Sequence, residues 1–182
     1  MLTVSQLFIY PIKSLGGIAV TSATVTDRGF QYDRRWMLVD ENNCFLTQRE
    51  LPQMALLQVA LSEDGLQVSH KKNITESIHI PFNQFNGNKT DVLVWDDTCL
   101  ALETDEVTNQ WFSKMLDHNC RLVYMPDTTE RKVDIKYAGN NEITNFSDGY
   151  PFLIIGQSSL DDLNNKLSNA LPINRFRPNI VF

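Results

Sequence analysis

Short apolar runs, separated by polar turns, fill the first hundred residues: LFIYPI from Leu7, IAVTSATV from Ile18, RWMLVD from Arg35, CFLTQ from Cys44 and MALLQVALS from Met54, then GLQVSH, SIHIPF, DVLVWDD and TCLALE. About nine strands are predicted, and their spacing of roughly 8 to 12 residues, with turns at Gly16-Gly17, Glu41 to Asn43 and Asp64-Gly65, is that of an antiparallel barrel or sandwich. Pro11 falls where a strand must end or bulge. The period then changes. In DEVTNQWFSKMLD, residues 105–117, Val107, Trp111, Phe112 and Met115 recur at helical spacing behind Thr104, with Asp105 and Glu106 at the positive end of the helix dipole. This predicts a helix whose apolar face plugs one end of the barrel. RLVYMP, residues 121–126, returns as a strand.

Residues 127–145 are polar and without period, which predicts a linker or long loop. YPFLIIG follows as a continuous apolar run suited to a strand buried on both faces. Ser158 stands at the cap position of SLDDLNNKLSN, with Leu160, Leu163 and Leu167 on one face. The predicted class is mainly β: an antiparallel, barrel-like N-terminal domain with one helix over 1–125, a linker or long loop over 126–145, and an incomplete α+β segment over 146–182. The last apolar run reaches Phe182 with no closing partner, which predicts a chain cut from a longer one.

With 182 residues, 42% of them hydrophobic, a core is affordable, while a net charge of −6 argues against a nucleic-acid surface. The N-terminus has no basic stretch before its apolar residues and breaks at Pro11, so neither a secretion signal nor a membrane span is expected, and a cytoplasmic address follows. Cys44, Cys99 and Cys120 are far apart and form no C-x-x-C pair; His70, His79 and His118 are equally scattered. A zinc site within the chain is not expected.

The candidate chemistry is cationic. Lys13 and Ser14 stand where a strand leaves the sheet toward Gly16-Gly17, a turn that can offer an ammonium, a hydroxyl and amide groups to one anion; a solvated loop lysine is the plain alternative. In Asp33-Arg34-Arg35-Trp36, alternation sends the two arginines to opposite faces, so only one can point inward, where its fork suits phosphate or carboxylate; a surface ion pair is the competing reading. Arg175 and Arg177 flank Phe176 ahead of the rigid Pro178, and Ser147-Asp148-Gly149-Tyr150 precedes the apolar run, as site or as simple turn. No nucleophile-and-base arrangement and no Walker-type loop is visible. Anion binding is favoured over catalysis by side chains.

In order and spacing, YPIKSLGG, DRRWMLVD, FLTQRELPQMALL, SDGYPFLIIGQSSLDDLN and NRFRPNIVF resemble the successive signatures of MOSC-family proteins, which include the amidoxime reducing components. The resemblance implies molybdenum cofactor (molybdopterin) held between two domains by Lys13, Ser14, Arg34, Ser147, Gly149, Tyr150 and Arg177. Tyr150 departs from the small hydroxyl residue that relatives often carry. The resemblance further implies an oxidoreductase of N-hydroxylated or related small molecules, supplied with electrons by a partner protein or a fused iron–sulfur domain. A non-catalytic cofactor or sulfur carrier, and a barrel that binds another protein, are the alternatives. The metal-ligating cysteine of catalytic relatives lies beyond FRPN, so none of the three cysteines takes that role and the chain alone is expected to be inactive. Lys13, Arg34 and Arg177 are expected to converge on one cleft, paired with Asp33 or Asp148 and adding little to stability.

Overall fold

The computed structural model describes residues 2–83, 85 and 87–182. The strand Trp36–Val39 shows how the fold is assembled. All four of its residues are buried, and side-chain alternation divides them between two cores. Trp36 and Leu38 enter one cluster with Ile12, Leu57, Leu66, Val68 and Phe112. Met37 and Val39 enter the other with Val92, Val94, Cys99, Ala101 and Phe146.

Around this strand the described residues form antiparallel sheets that curl into part of a barrel. One runs in the order Trp36–Val39, Arg121–Tyr124, Asp97–Glu103, Lys89–Val94, and another in the order Leu57–Leu61, Gly65–His70, Asn73–Pro81. In the hairpin that pairs Val92 with Cys99, alternate residues face the core, as a one-sided sheet requires. The run from Met54 splits: Pro52–Leu56 is a 3-10 turn and the strand begins at Leu57. Phe45 and Cys44 make only isolated bridges, to Val39 and Leu93.

Helix α1 spans Glu106–Leu116, with Asp105 as its N-cap accepting from the Thr108 amide at 3.0 Å. The expected apolar face is shifted. Val107 is 71% exposed, whereas Phe112 and Leu116 are fully buried and the buried Asn109 accepts from the Leu122 amide at 2.8 Å. Trp111 and Met115 pack at the margin of the same cluster.

A further four-stranded sheet joins the two ends of the chain. Its order is Ile154–Ile155, Ile180–Val181, Gln6–Ile9, Ile18–Val20, with the first pair parallel and the others antiparallel. Ile154–Ile155 therefore lies at an edge, and Leu153 and Ile154 are exposed rather than buried on both faces. Helix α2, Gln157–Asn164, is preceded by Gly156 as N-cap with no side-chain cap, so Ser158 lies inside it; Leu160 is buried but Leu167 lies past its end and is exposed. Residues 127–145, read as a loop, carry a short hairpin pairing Arg131–Lys132 with Ile143–Thr144. Buried Arg131 holds it against the body of the fold.

Candidate functional site

The N-terminal sheet and Trp36–Val39 meet where strand Gln6–Ile9 ends, two residues before Pro11. The Tyr10 amide donates to Asp33 Oδ1 at 2.7 Å, the Arg34 amide to the Tyr10 carbonyl at 2.8 Å, and the Lys13 amide to the Trp36 carbonyl at 2.8 Å. These bonds knit YPIKS to DRRW. Ser14 and Arg34 both adopt the left-handed backbone conformation, with φ of 67° and 49°. Such turns aim successive side chains where a regular strand would not.

Lys13 is buried. Its Nζ donates to the Phe146 carbonyl at 2.8 Å and to Asp148 Oδ1 at 2.6 Å. Burial, and secondarily the charges of Arg131 and Arg34, push its ammonium down to about 8 against the support of Asp148. It therefore stays charged at neutral pH, and it is not a solvated loop lysine.

Arg34 and Arg35 do diverge. Arg34 Nη1 donates to Asp33 Oδ2 at 2.5 Å and Asn179 Oδ1 at 2.9 Å, and Nη2 to the Arg177 carbonyl at 3.1 Å. Arg35 turns the other way, to the Met125 carbonyl and Asp127. Arg177, itself left-handed at φ 57°, donates through Nη1 to the Leu15 carbonyl at 2.5 Å. Its guanidinium and that of Arg34 both stack on the Tyr10 ring, at 4.3 and 4.7 Å from its centroid. Burial and the neighbouring Arg34 push Arg177 down to about 10, still charged at neutral pH. Burial raises Tyr10 to about 12, so the platform between the cations is a neutral phenol.

The loop after the 131–144 hairpin completes the wall. Arg131 donates to the carbonyls of Asn145 at 3.0 Å, Ser147 at 2.5 Å and Asp148 at 3.2 Å, and its Nε to Asp97 at 2.8 Å. Four acceptors on one buried guanidinium fix this loop. Asp148 receives both Lys13 and Trp95 Nε1, the latter at 3.2 Å, and Arg49 lies over the Trp95 ring. An added Cβ at Gly149 meets nothing within 4 Å, so that position faces open space. Tyr150 is half-exposed and donates its hydroxyl to the Tyr137 carbonyl at 3.2 Å.

All seven residues flagged in the sequence, Lys13, Ser14, Arg34, Ser147, Gly149, Tyr150 and Arg177, line a single cavity of about 660 Å³. Arg49 and Arg175 also line it, giving five cationic side chains against the single carboxylate of Asp148, in a chain of net charge −6. Two polar atoms of the lining residues, Ser147 Oγ and Arg177 Nη2, are buried without a hydrogen-bond partner among the described residues. An excess of positive charge with a spare hydroxyl and a spare guanidinium N–H fits an oxygen-rich anion. Sequence reasoning missed three contributors: Tyr10, Arg131 and Asn179. Tyr10 sat within a quoted motif, whereas Arg131 lay in an aperiodic polar stretch that offered no signal.

Among the described residues no three His, Cys, Asp or Glu side chains gather into a metal-binding group. Burial pushes the Cys99 and Cys120 thiols up to about 11. No helix is long and apolar enough to cross a membrane among those residues.

The sequence profile of the MOSC N-terminal beta barrel domain matches residues 1–119, and that of the MOSC domain matches residues 141–182. Mouse mitochondrial amidoxime-reducing component 1 is 31% identical over 98% of this chain and 55% of its own length. Human mitochondrial amidoxime-reducing component 1 is 30% identical over the same shares. Human molybdenum cofactor sulfurase is 26% identical over 92% of this chain and 20% of its own length. The chain thus spans about half the length of the amidoxime-reducing relatives it matches.

Proposed function

This chain belongs to the MOSC family, and from that premise we propose that its cationic cavity holds the phosphate-bearing pterin of the molybdenum cofactor. One observation carries the reading: Lys13, Arg34 and Arg177, contributed by three separate segments of the chain, line one cavity, and two of its lining residues, Ser147 and Arg177, each keep a buried polar atom, Oγ and Nη2, without a partner among the described residues. When bound, the cofactor supplies two-electron redox chemistry that no side chain offers.

The residues divide the work by position. Lys13, Arg34 and Arg177 supply charge for the phosphate, while the Ser147 hydroxyl and the spare Arg177 N–H supply directional hydrogen bonds. Tyr10 stacks under both arginines and keeps their forks in place without adding a competing negative charge. Arg131 holds the 147–149 backbone, and Asp33 orients Arg34 from behind. Asp148 occupies Lys13 and must yield it to an entering anion.

The relatives named for amidoxime reduction favour a part in an oxidoreductase acting on N-hydroxylated or related small molecules; we propose in addition that a protein donor or a fused iron–sulfur domain supplies its electrons. The match to molybdenum cofactor sulfurase favours a second reading, a cofactor or sulfur carrier without turnover of its own. Both readings expect the protein at its natural length to release pterin on denaturation. Turnover of an amidoxime with a reduced donor separates them: reduction supports the oxidoreductase, and pterin without turnover supports the carrier. Pterin-free protein from cells that make the cofactor overturns both.

A further inference from the structure

On the side of the 33–36 segment to which Arg35 turns lies a second cavity, of about 460 Å³. Its wall is aromatic. Tyr32 stacks on Phe82 at 4.6 Å and 7°, and Trp36 leans on Phe82 at 6.0 Å and on Tyr124 at 5.0 Å. Tyr32 holds a left-handed φ of 68°, a conformation that bulky residues rarely accept and that tends to persist where a side chain must be aimed.

The polar groups of this cavity are few and specific. Arg35 already donates to the Met125 carbonyl at 2.6 Å, the Tyr124 hydroxyl at 2.7 Å and Asp127 Oδ1 at 2.7 Å, so its charge is met within the protein. Two side chains of the lining, each 1% exposed, retain unused capacity: the Trp36 indole N–H and the Asn145 Oδ1 have no partner among the described residues. Asn145 Nδ2 donates to the Asp33 carbonyl at 2.7 Å, which fixes its carboxamide and leaves the oxygen as acceptor. A buried donor and a buried acceptor left unused are rare in native folds and mark a ligand or a trapped solvent molecule.

We propose that this cavity is a second binding site, for a neutral planar heteroaromatic whose edge carries both a hydrogen-bond acceptor and an N–H donor, as a carboxamide or lactam does. The aromatic wall takes the ring face. Once the ligand edge displaces the atoms that cover these two nearly inaccessible groups, the indole N–H meets the acceptor and the Asn145 oxygen meets the donor. With Arg35 and Asp127 paired, an anion gains nothing here, which distinguishes this site from the cationic cavity beyond Arg34. The assignment does not depend on the identity of the ligand in that first cavity.

The test is a titration of the full chain with nicotinamide, followed through the indole N–H signals in ¹H–¹⁵N correlation spectra. The Trp36 signal should shift saturably with a Kd on the order of 1 mM, the scale open to so small a ligand. N,N-dimethylnicotinamide, which lacks the donor, should bind at least about fivefold more weakly, the size of one hydrogen bond. Tyr32→Asn suits the left-handed backbone and removes the ring, so it should abolish binding while far-ultraviolet circular dichroism stays unchanged. Trp36→Phe, which keeps the wall but loses the donor, identifies the indole signal and should weaken binding by a similar factor when followed by ligand-observed saturation transfer. No saturable shift of Trp36 up to about 20 mM, far above that expected Kd, overturns the site. Equal affinity for both probes overturns the edge recognition, leaving an apolar cavity only.

Discussion

Replacing Arg34 by alanine isolates the link between the cationic cavity and the stability of the fold. Asp33 is 1% exposed, and its carboxylate accepts from the Tyr10 amide and from Arg34 Nη1. Arg34→Ala leaves a buried anion with one hydrogen bond, a defect that costs about 3–5 kcal/mol in comparable buried pairs. Part of this is recovered. The guanidinium centres of Arg34 and Arg177 lie 4.7 and 4.3 Å from one ring centroid, so they are close enough to repel. At an effective dielectric near 20 that repulsion is roughly 2 kcal/mol, and the variant escapes it. The net expectation is a loss of about 2 kcal/mol, or about 4–8 °C in Tm for a chain of this size. The expectation that these cations, paired with Asp33 or Asp148, add little to stability undervalues how deeply the Asp33 carboxylate that Arg34 neutralises is buried. Urea unfolding of the parent, Arg34→Ala, Asp33→Asn and the double variant closes a cycle. Asp33→Asn should restore most of the loss in the Arg34→Ala background, because it removes the stranded charge. Unchanged stability in Arg34→Ala, or no rescue by Asp33→Asn, refutes the reasoning.

Other outcomes follow from the same geometry. Burial lowers Lys13 from an ordinary 10.5 to about 8, so it is charged below that value and neutral above it; affinity for pyrophosphate by titration calorimetry should be full below about pH 8 and fall above it, and Lys13→Met should flatten the profile. By the same sign, the buried charge penalises the folded state most below about pH 8, and stability should rise from there toward pH 10.5, where the unfolded chain also loses the proton. Asp148→Asn removes the carboxylate that competes for Lys13 and should tighten pyrophosphate binding by roughly 3- to 10-fold, one to two hydrogen bonds' worth; weaker binding would show that Asp148 contacts the anion constructively. Gly17→Ala places a Cβ 2.3 Å from the Tyr10 ring; it should displace the platform under both arginines, costing about 1–3 kcal/mol in stability and weakening pyrophosphate without touching a charge.

Strands with one buried face were legible because alternation records them directly; the Lys89–Val94 and Asp97–Glu103 pair is the clear case. Helix α1 was legible in its bounds but not in its buried face. Val107 shares the helical period yet points to water, because tertiary packing and not periodicity chooses which stripe turns inward. YPFLIIG misled for a related reason: apolar content does not reveal that Ile154–Ile155 has a neighbour on one side only. At the site, Lys13 and Arg177 stood close to proline or glycine, where sequence shows special backbone, and Arg34 stood at the start of an apolar strand. What positions them did not. Arg131 and Asn179 act through contacts across 14 to 171 residues of chain, and no local pattern encodes such contacts.

The proposed phosphate site formed by Lys13, Arg34 and Arg177 holds a pterin cofactor only while its charges are intact. The most direct measurement is the pterin released by denaturation from the protein at its natural length, purified from cells that make the cofactor. Lys13→Met and Arg177→Gln are compared with Lys71→Ala, a change at an exposed lysine outside the cavity. Near-stoichiometric pterin in the parent and in Lys71→Ala, with at least about a tenfold loss in the two cavity variants at preserved circular dichroism, is the predicted result, a factor equal to about 1.4 kcal/mol of binding. Full retention in both cavity variants, or no pterin in the parent, contradicts the claim.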